Sequence, residues 1–97
     1  MSVSRGLEVV SKDIEIINRL GLHARAAAKL VHTAARFSSD VKVKKGGEEV
    51  DGKSILGILL LAAGKGSLVT ISANGQDEQE ALQSIEKLIC ARFDEAE

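Results

Sequence analysis

Apolar residues recur along this chain with two different spacings. Around Val10, Ile14 and Ile16 they alternate with polar residues, which is typical of a strand with one buried face, although Lys12 interrupts the apolar set. Over residues 24–36 they recur every three to four positions, which predicts an amphipathic helix. The same two patterns predict three further strands and two further helices, namely strands at 41–43, 48–51 and 68–73 and helices at 55–62 and from 77 to about 92.

Local signals mark where these elements begin and turn. Gly46 and Gly47 predict a hairpin between the second and third strands. Ser54 is a predicted N-cap of the second helix. Asp77, followed by Glu80 three residues later, resembles a capping box at the start of the last helix. The resulting order is β-α-β-β-α-β-α in a single domain over residues 1–97, with a core over about 9–92. We expect an α+β fold in which three helices cover one face of a four-stranded antiparallel sheet. The pattern alone does not choose this fold over a ferredoxin-like arrangement.

The amino-acid composition argues against nucleic-acid binding and membrane insertion. The chain has 97 residues, 28% of them charged, with a formal net charge of −1, which argues against bulk attraction to nucleic acid. Two Phe residues without Tyr or Trp provide no stacking platform for RNA, and no two glycines stand three apart as in a GxxG clamp. The single Cys90 cannot form an internal disulfide, and no apolar run is long enough for membrane insertion. We therefore expect a cytoplasmic protein.

Residues 20–28 carry the most distinctive chemistry. They place His23 where a glycine turn meets the start of an alanine-rich helix. The first N–H groups of a helix lack partners and carry partial positive charge, so the backbone of Ala24, Arg25 and Ala26 is a candidate phosphate site. Arg25 can add its guanidinium to that site. Neutral imidazole is nucleophilic near pH 7, so His23 is suited to carry a phosphoryl group.

Three segments also resemble one known family. Gly21-Leu22-His23-Ala24-Arg25 is similar to the active-site signature of the HPr family, the histidine-containing phosphocarriers of the bacterial phosphotransferase system. Gly52-Lys53-Ser54-Ile55-Leu56-Gly57 resembles the regulatory serine segment of that family. Ala63-Gly64-Lys65-Gly66-Ser67, with Gly75-Gln76-Asp77-Glu78 further on, is the third match. The resemblance covers about residues 9–92.

The resemblance implies a fold and a function. The fold is the HPr-like open-faced β-sandwich. The function is that of a phosphorylated intermediate, not an enzyme, in which His23 accepts a phosphoryl group from Enzyme I and passes it to enzyme IIA. In the family, Nδ1 of the histidine carries the phosphoryl group. No cofactor and no metal are implied. One residue departs from the family pattern, because Ala26 stands where proline is usual, and we expect this change to be neutral for transfer.

The resemblance also implies regulation. Ser54 matches a serine that an HPr kinase/phosphorylase modifies in some members, and its phosphate would disturb docking of partners. The second helix is apolar nearly all round, so we expect Leu56 and Leu60 to be partly exposed. A basic stripe along the first helix adds a face for acidic partners. The predicted partner interface comprises Leu22, Lys29, His32, Lys53, Ile55, Leu56 and Leu59.

Two alternatives stay open within the family. Ala26, residues 62–66 and Phe93-Asp94-Glu95 also resemble the nitrogen-related branch, which transfers phosphate for regulation. An HPr-like regulator that binds partners without carrying phosphate is the other, although the presence of His23 and Arg25 speaks against it.

Overall fold

The computed structural model describes residues 10–97, so Val9, where the predicted core begins, lies outside the described residues. The elements form where the alternating and helical patterns predict them, with ends that differ by at most two residues. The strands are β1 Val10–Glu15, β2 Asp40–Lys45, β3 Glu48–Asp51 and β4 Leu68–Asn74, and the helices are α1 Ala24–Ala35, α2 Ile55–Leu60 and α3 Glu78–Cys90.

The strands form one antiparallel sheet in the order β1-β4-β2-β3. β4, the last strand along the chain, lies between β1 and β2, so the two halves of the chain interleave. Ile71 is paired with Val43 on β2, and Ile14 on β1 is paired with Val69. These four side chains are buried on the helical side of the sheet. The predicted α+β fold with three helices on one sheet face is confirmed.

Lys12 interrupts the apolar face of β1 without ending the strand. Its ammonium forms an ion pair with Glu86 of α3 at 2.6 Å. The Lys12 side chain is about half exposed, so its charge lies at the surface between the edge strand β1 and α3. A polar residue at a position of the buried face is accommodated here because α3 supplies the opposite charge.

Asp77 does not form the predicted capping box, and that prediction is wrong. Its carboxylate makes no hydrogen bond to α3. It accepts hydrogen bonds from the backbone N–H of Ser38 and of Ser39, each at 2.9 Å, and from the Ser39 hydroxyl. The hydroxyl and these N–H groups lower the pKa of Asp77 to about 2. The residue therefore ties the start of α3 to the loop before β2.

The last helix ends earlier than predicted, and the core continues beyond it. A short 3-10 turn, Arg92–Asp94, follows α3, and its three residues have positive φ angles of 57°, 55° and 63°. This left-handed turn directs Phe93 inward, where its side chain is fully buried. The hydrophobic core of the described residues therefore includes Phe93, beyond the end of α3.

Candidate functional site

A glycine turn delivers the predicted histidine to the start of α1. Gly21 has φ +67°, and a Cβ at this position would lie 2.6 Å from the Ala63 carbonyl oxygen. The next N–H, that of Leu22, donates to the same oxygen at 2.8 Å. This close approach turns Leu22 into the core and leaves His23 at the surface.

His23 is the N-cap residue of α1. Its backbone is extended, with φ −73° and ψ 179°, and its Nδ1 accepts a hydrogen bond from the Arg25 N–H at 3.3 Å. The carbonyl of His23 accepts the N–H of Ala27 at 2.8 Å, which closes the first helical turn. The imidazole therefore directs Nδ1 toward the positive end of the helix.

The opposite edge of the imidazole faces a carboxylate. Nε2 of His23 lies 2.5 Å from Oε2 of Glu95, and both side chains are partly buried, with 27% and 15% exposed. Oε1 of Glu95 accepts a hydrogen bond from Asn18 Nδ2 at 3.0 Å. Burial raises the pKa of Glu95, but the hydrogen bonds from His23 and Asn18 and the positive charge of Lys29 bring it below its ordinary value. Glu95 is thus held as an anion.

The histidine opens onto a surface cleft. The cleft has a volume of about 530 Å³. Its walls carry opposite charges from two arginines and two glutamates. Arg19 and Glu97 are exposed and 3.7 Å apart, a geometry that contributes little stability. Residues lining the cleft include Arg19, Leu20, His23, Arg25, Glu95 and Glu97.

Two of the three predicted phosphate-binding residues, Ala24 and Arg25, line this cleft. Ala24 and Arg25 are exposed, so the Arg25 guanidinium can reach an anion beside His23. Ala26 has its side chain fully buried in the core and keeps a backbone N–H that proline would lack. With Ala26 in place of the usual proline, the first turn of α1 therefore has one more backbone N–H.

The predicted interface is wrong at Leu22, which is 5% exposed and belongs to the core because the Gly21 turn points it inward. Two predicted docking lysines are half-buried, and their ammonium groups donate to backbone carbonyls. Lys29 donates to Phe93 at 2.6 Å, and Lys53 donates to Phe37 at 2.8 Å. These cations therefore have roles inside the fold.

The other predicted interface residues are at the surface. His32 is exposed on α1. The exposed residues of α2, here called the α2 surface, are Ile55, Leu56, Leu59 and Leu60, and Leu56 and Leu60 are about two-thirds exposed as predicted. Ile58 on the opposite side of α2 is fully buried and anchors the helix. The apolar α2 surface thus faces solvent.

Ser54 caps α2 as predicted. Its hydroxyl oxygen accepts the N–H of Gly57 at 3.0 Å, and its side chain is half-buried. Substitution of a Ser N-cap by Ala costs about 1 kcal/mol. The serine thus has a structural function independent of any modification.

Asn18 and Glu95 are the site residues that the sequence analysis missed. Neither lies on a periodic face, and 77 positions separate them in the chain. Asn18 is fully buried in the turn before Gly21, and its amide donates to the Gly21 carbonyl at 2.8 Å. Its polar character in a turn was the available signal, but a turn asparagine is common and points to no particular partner.

The described residues contain neither a membrane-spanning helix nor a cluster of metal-binding side chains. Within residues 10–97, no helix is long and apolar enough to cross a membrane. Among the same residues, no group of three or more His, Cys, Asp or Glu side chains could hold a metal ion. The cytoplasmic location stays a prediction.

Comparisons with known proteins find similar sequences over nearly the whole chain. The family model described as "PTS HPr component phosphorylation site" matches residues 10–91. A phosphocarrier protein HPr of Cupriavidus necator is 52% identical over 89 residues, which cover 92% of this chain and 100% of that protein. The HPr of Pseudomonas aeruginosa is 51% identical over 88% of this chain and 96% of that protein.

A solved structure shows the same fold. The crystal structure of HPr-C-His from Thermoanaerobacter tengcongensis has a TM-score of 0.88 and 44% identity, covering 91% of this chain and 99% of that one. Fold, motif and sequence identity agree over nearly the whole chain. This chain therefore belongs to the HPr family of histidine phosphocarrier proteins of the phosphotransferase system.

Proposed function

We propose that His23 is the residue that carries the phosphoryl group. It would accept the group from a phosphohistidine of Enzyme I, ultimately from phosphoenolpyruvate, and pass it to a histidine of enzyme IIA. The observation that supports this assignment is the position of His23 Nδ1, within 3.3 Å of the Arg25 N–H at the start of α1. The other histidine, His32, lies in the third turn of the same helix.

The surroundings of Nδ1 suit a reversible acceptor. Phosphoryl transfer depends on alignment and on stabilisation of charge, and the first-turn N–H groups and the exposed Arg25 guanidinium supply both. A carrier also has to release its phosphoryl group. Because every 1.4 kcal/mol of excess stabilisation shifts the onward equilibrium tenfold, one solvent-exposed arginine is a suitable partner.

The test is a phosphorylation assay with a matched control. The protein is incubated with phosphoenolpyruvate and a catalytic amount of Enzyme I, and its intact mass is measured before and after brief acid treatment. We expect an acid-labile gain of one phosphate in the wild type and in His32→Ala, and no gain in His23→Ala. Equal labelling of His23→Ala would overturn the assignment.

We propose that partners dock on the α2 surface together with the cleft. Large exposed apolar groups are concentrated on this short helix, next to the N-cap Ser54, and apolar side chains at the centre of an interface contribute most of its affinity. Phosphorylation of Ser54 by an HPr kinase would then regulate transfer. The phosphate would add a charge of about −1.5 to −2 beside the exposed leucines of α2. Its oxygens could still accept the hydrogen bond from the first turn of α2 that the Ser54 hydroxyl accepts now.

Charge and capping can be separated at Ser54. Asp and Asn are both good N-cap residues, so Ser54→Asp and Ser54→Asn should each keep α2 folded. We expect Ser54→Asp to slow phosphorylation of His23 by Enzyme I, whereas Ser54→Asn stays close to the wild-type rate. Equal rates for the two variants would refute regulation by charge at this position.

A further inference from the structure

The segment that follows α3 reaches back to the active histidine. Glu95 contacts Nε2 of His23, as described above. Two other contacts hold this segment in place, since the side chain of Phe93 is fully buried and its carbonyl accepts the Lys29 ammonium. The contact between Glu95 and His23 is therefore built into the fold and does not depend on one flexible side chain.

The hydrogen bonds on the two sides of the ring specify one tautomer. A backbone N–H can only donate, so Nδ1 of His23 has to present its lone pair to the Arg25 N–H. A carboxylate can only accept, so Nε2 has to carry the proton that is shared with Glu95. The ring is thus held with its nucleophilic lone pair at the start of α1.

Asn18 fixes the orientation of the Glu95 carboxylate. Its amide nitrogen donates both hydrogens, one to the Gly21 carbonyl and one to Glu95 Oε1. Rotation of the amide by half a turn would direct its oxygen at these two acceptors, which is unfavourable. Oε1 is therefore reserved for Asn18, and Oε2 is left for His23.

We propose that Glu95 is a positioning residue for phosphoryl transfer, which holds His23 through Nε2 in the tautomer whose Nδ1 lone pair is the nucleophile. This inference rests on the proposed function. In the transfer, Nδ1 forms the new N–P bond, the P–N bond of the donor phosphohistidine breaks, and its electron pair returns to the donor ring. His23 keeps its Nε2 proton, and the positive charge that develops on its ring faces the Glu95 carboxylate.

The decisive variant is Glu95→Gln. In this variant Asn18 donates to the side-chain oxygen of Gln, so the Gln amide group faces Nε2 of His23 and donates to it. Nε2 then has to present a lone pair, and the ring proton moves to Nδ1. We expect ¹⁵N–¹H correlation spectra of the unphosphorylated protein to show the Nε2–H tautomer in the wild type and a large population of Nδ1–H in this variant. The phosphorylation rate should fall roughly tenfold, because returning the proton from Nδ1 to Nε2 before the attack would cost about 1.4 kcal/mol.

Two further variants separate positioning from folding. Asp94→Asn removes one negative charge from the neighbouring position, which is exposed and has φ 63°, a conformation that Asn tolerates. It should keep the wild-type tautomer and rate. Glu95→Asp retains the carboxylate and should recover a substantial part of the rate that Glu95→Gln loses.

Each outcome decides between the claims. Unchanged tautomer and rate in Glu95→Gln would overturn the role of Glu95, while loss of labelling in His23→Ala would still support His23 as the carrier. Failure to phosphorylate the wild type would overturn the proposed function, and the tautomer spectra, which need no Enzyme I, would still test the contact itself. An equal loss of rate in Asp94→Asn would indicate a general charge effect and contradict positioning.

Discussion

Replacement of Phe93 by Ala tests whether the segment after α3 is part of the folded core. Phe93 is fully buried, and a phenylalanine of this kind removes roughly 200 Å² from water. At about 25 cal/mol per Å² that is about 5 kcal/mol, within the usual range of about 3–5 kcal/mol for Phe→Ala in a core.

The backbone around Phe93 lowers the expected loss. Left-handed conformations cost roughly 1–2 kcal/mol per residue, and three consecutive residues adopt them here. Without the phenyl ring the segment can detach and recover part of that cost. We therefore expect a loss of about 3 kcal/mol in the free energy of unfolding, or roughly 12–24 °C in Tm for a domain of this size.

Urea denaturation followed by circular dichroism measures this loss. The matched control is Phe37→Ala, because Phe37 is the only other aromatic residue of the chain and is partly exposed. Its loss should be clearly smaller, about 1–2 kcal/mol. If Phe93→Ala lowered the free energy of unfolding by less than about 1 kcal/mol, or by less than Phe37→Ala, the segment after α3 would not be part of the folded core.

Three further results follow from the structure. Gly21→Ala should destabilise the protein by several kcal/mol and slow His23 phosphorylation, because its Cβ would lie 2.6 Å from the Ala63 carbonyl oxygen; a normal Tm would contradict this turn. Asp77 has a pKa lowered from 3.8 to about 2, so its ionised form stabilises the fold above about pH 4 and that contribution is lost as the pH falls toward 2. Unfolding of Asp77→Asn should depend less on pH in this range than unfolding of the wild type, and parallel pH profiles would refute the assignment. Leu56→Ser should weaken binding to Enzyme I by about 1–2 kcal/mol with little change in stability, whereas Leu68→Ser, at a similarly exposed leucine of β4, should not; calorimetric titration distinguishes them.

Periodicity was sufficient for the order of elements but not for their contacts. Alternating residues in β1 and β4 and the helical spacing in α1 each have one buried face, so burial alone explains why the pattern predicts them. Asp77 shows the limit of local signals. Its spacing from Glu80 fits a cap, yet its carboxylate binds Ser38 and Ser39, 39 and 38 positions earlier, which no local rule anticipates.

The sequence pattern points to His23 and Arg25 of the candidate site but not to Asn18 and Glu95, and the physical reason is where these residues lie in the chain. His23 and Arg25 belong to one helix start, so a short motif contains them both. Glu95 reaches the same ring only because three non-glycine residues turn left-handed and bury Phe93. L-residues rarely adopt that conformation, so neither propensity nor periodicity signals it. The contact depends on the whole tertiary fold.

The most direct test of the central claim locates the phosphoryl group on the histidine ring. The ¹⁵N-labelled protein is phosphorylated with phosphoenolpyruvate and Enzyme I, and the coupling between ³¹P and ring ¹⁵N is recorded by NMR. We predict coupling to Nδ1 of His23, with Nε2 still protonated and with shifted amide signals of Arg25 and Ala26. Coupling to Nε2 of His23, or to either nitrogen of His32, would contradict the account.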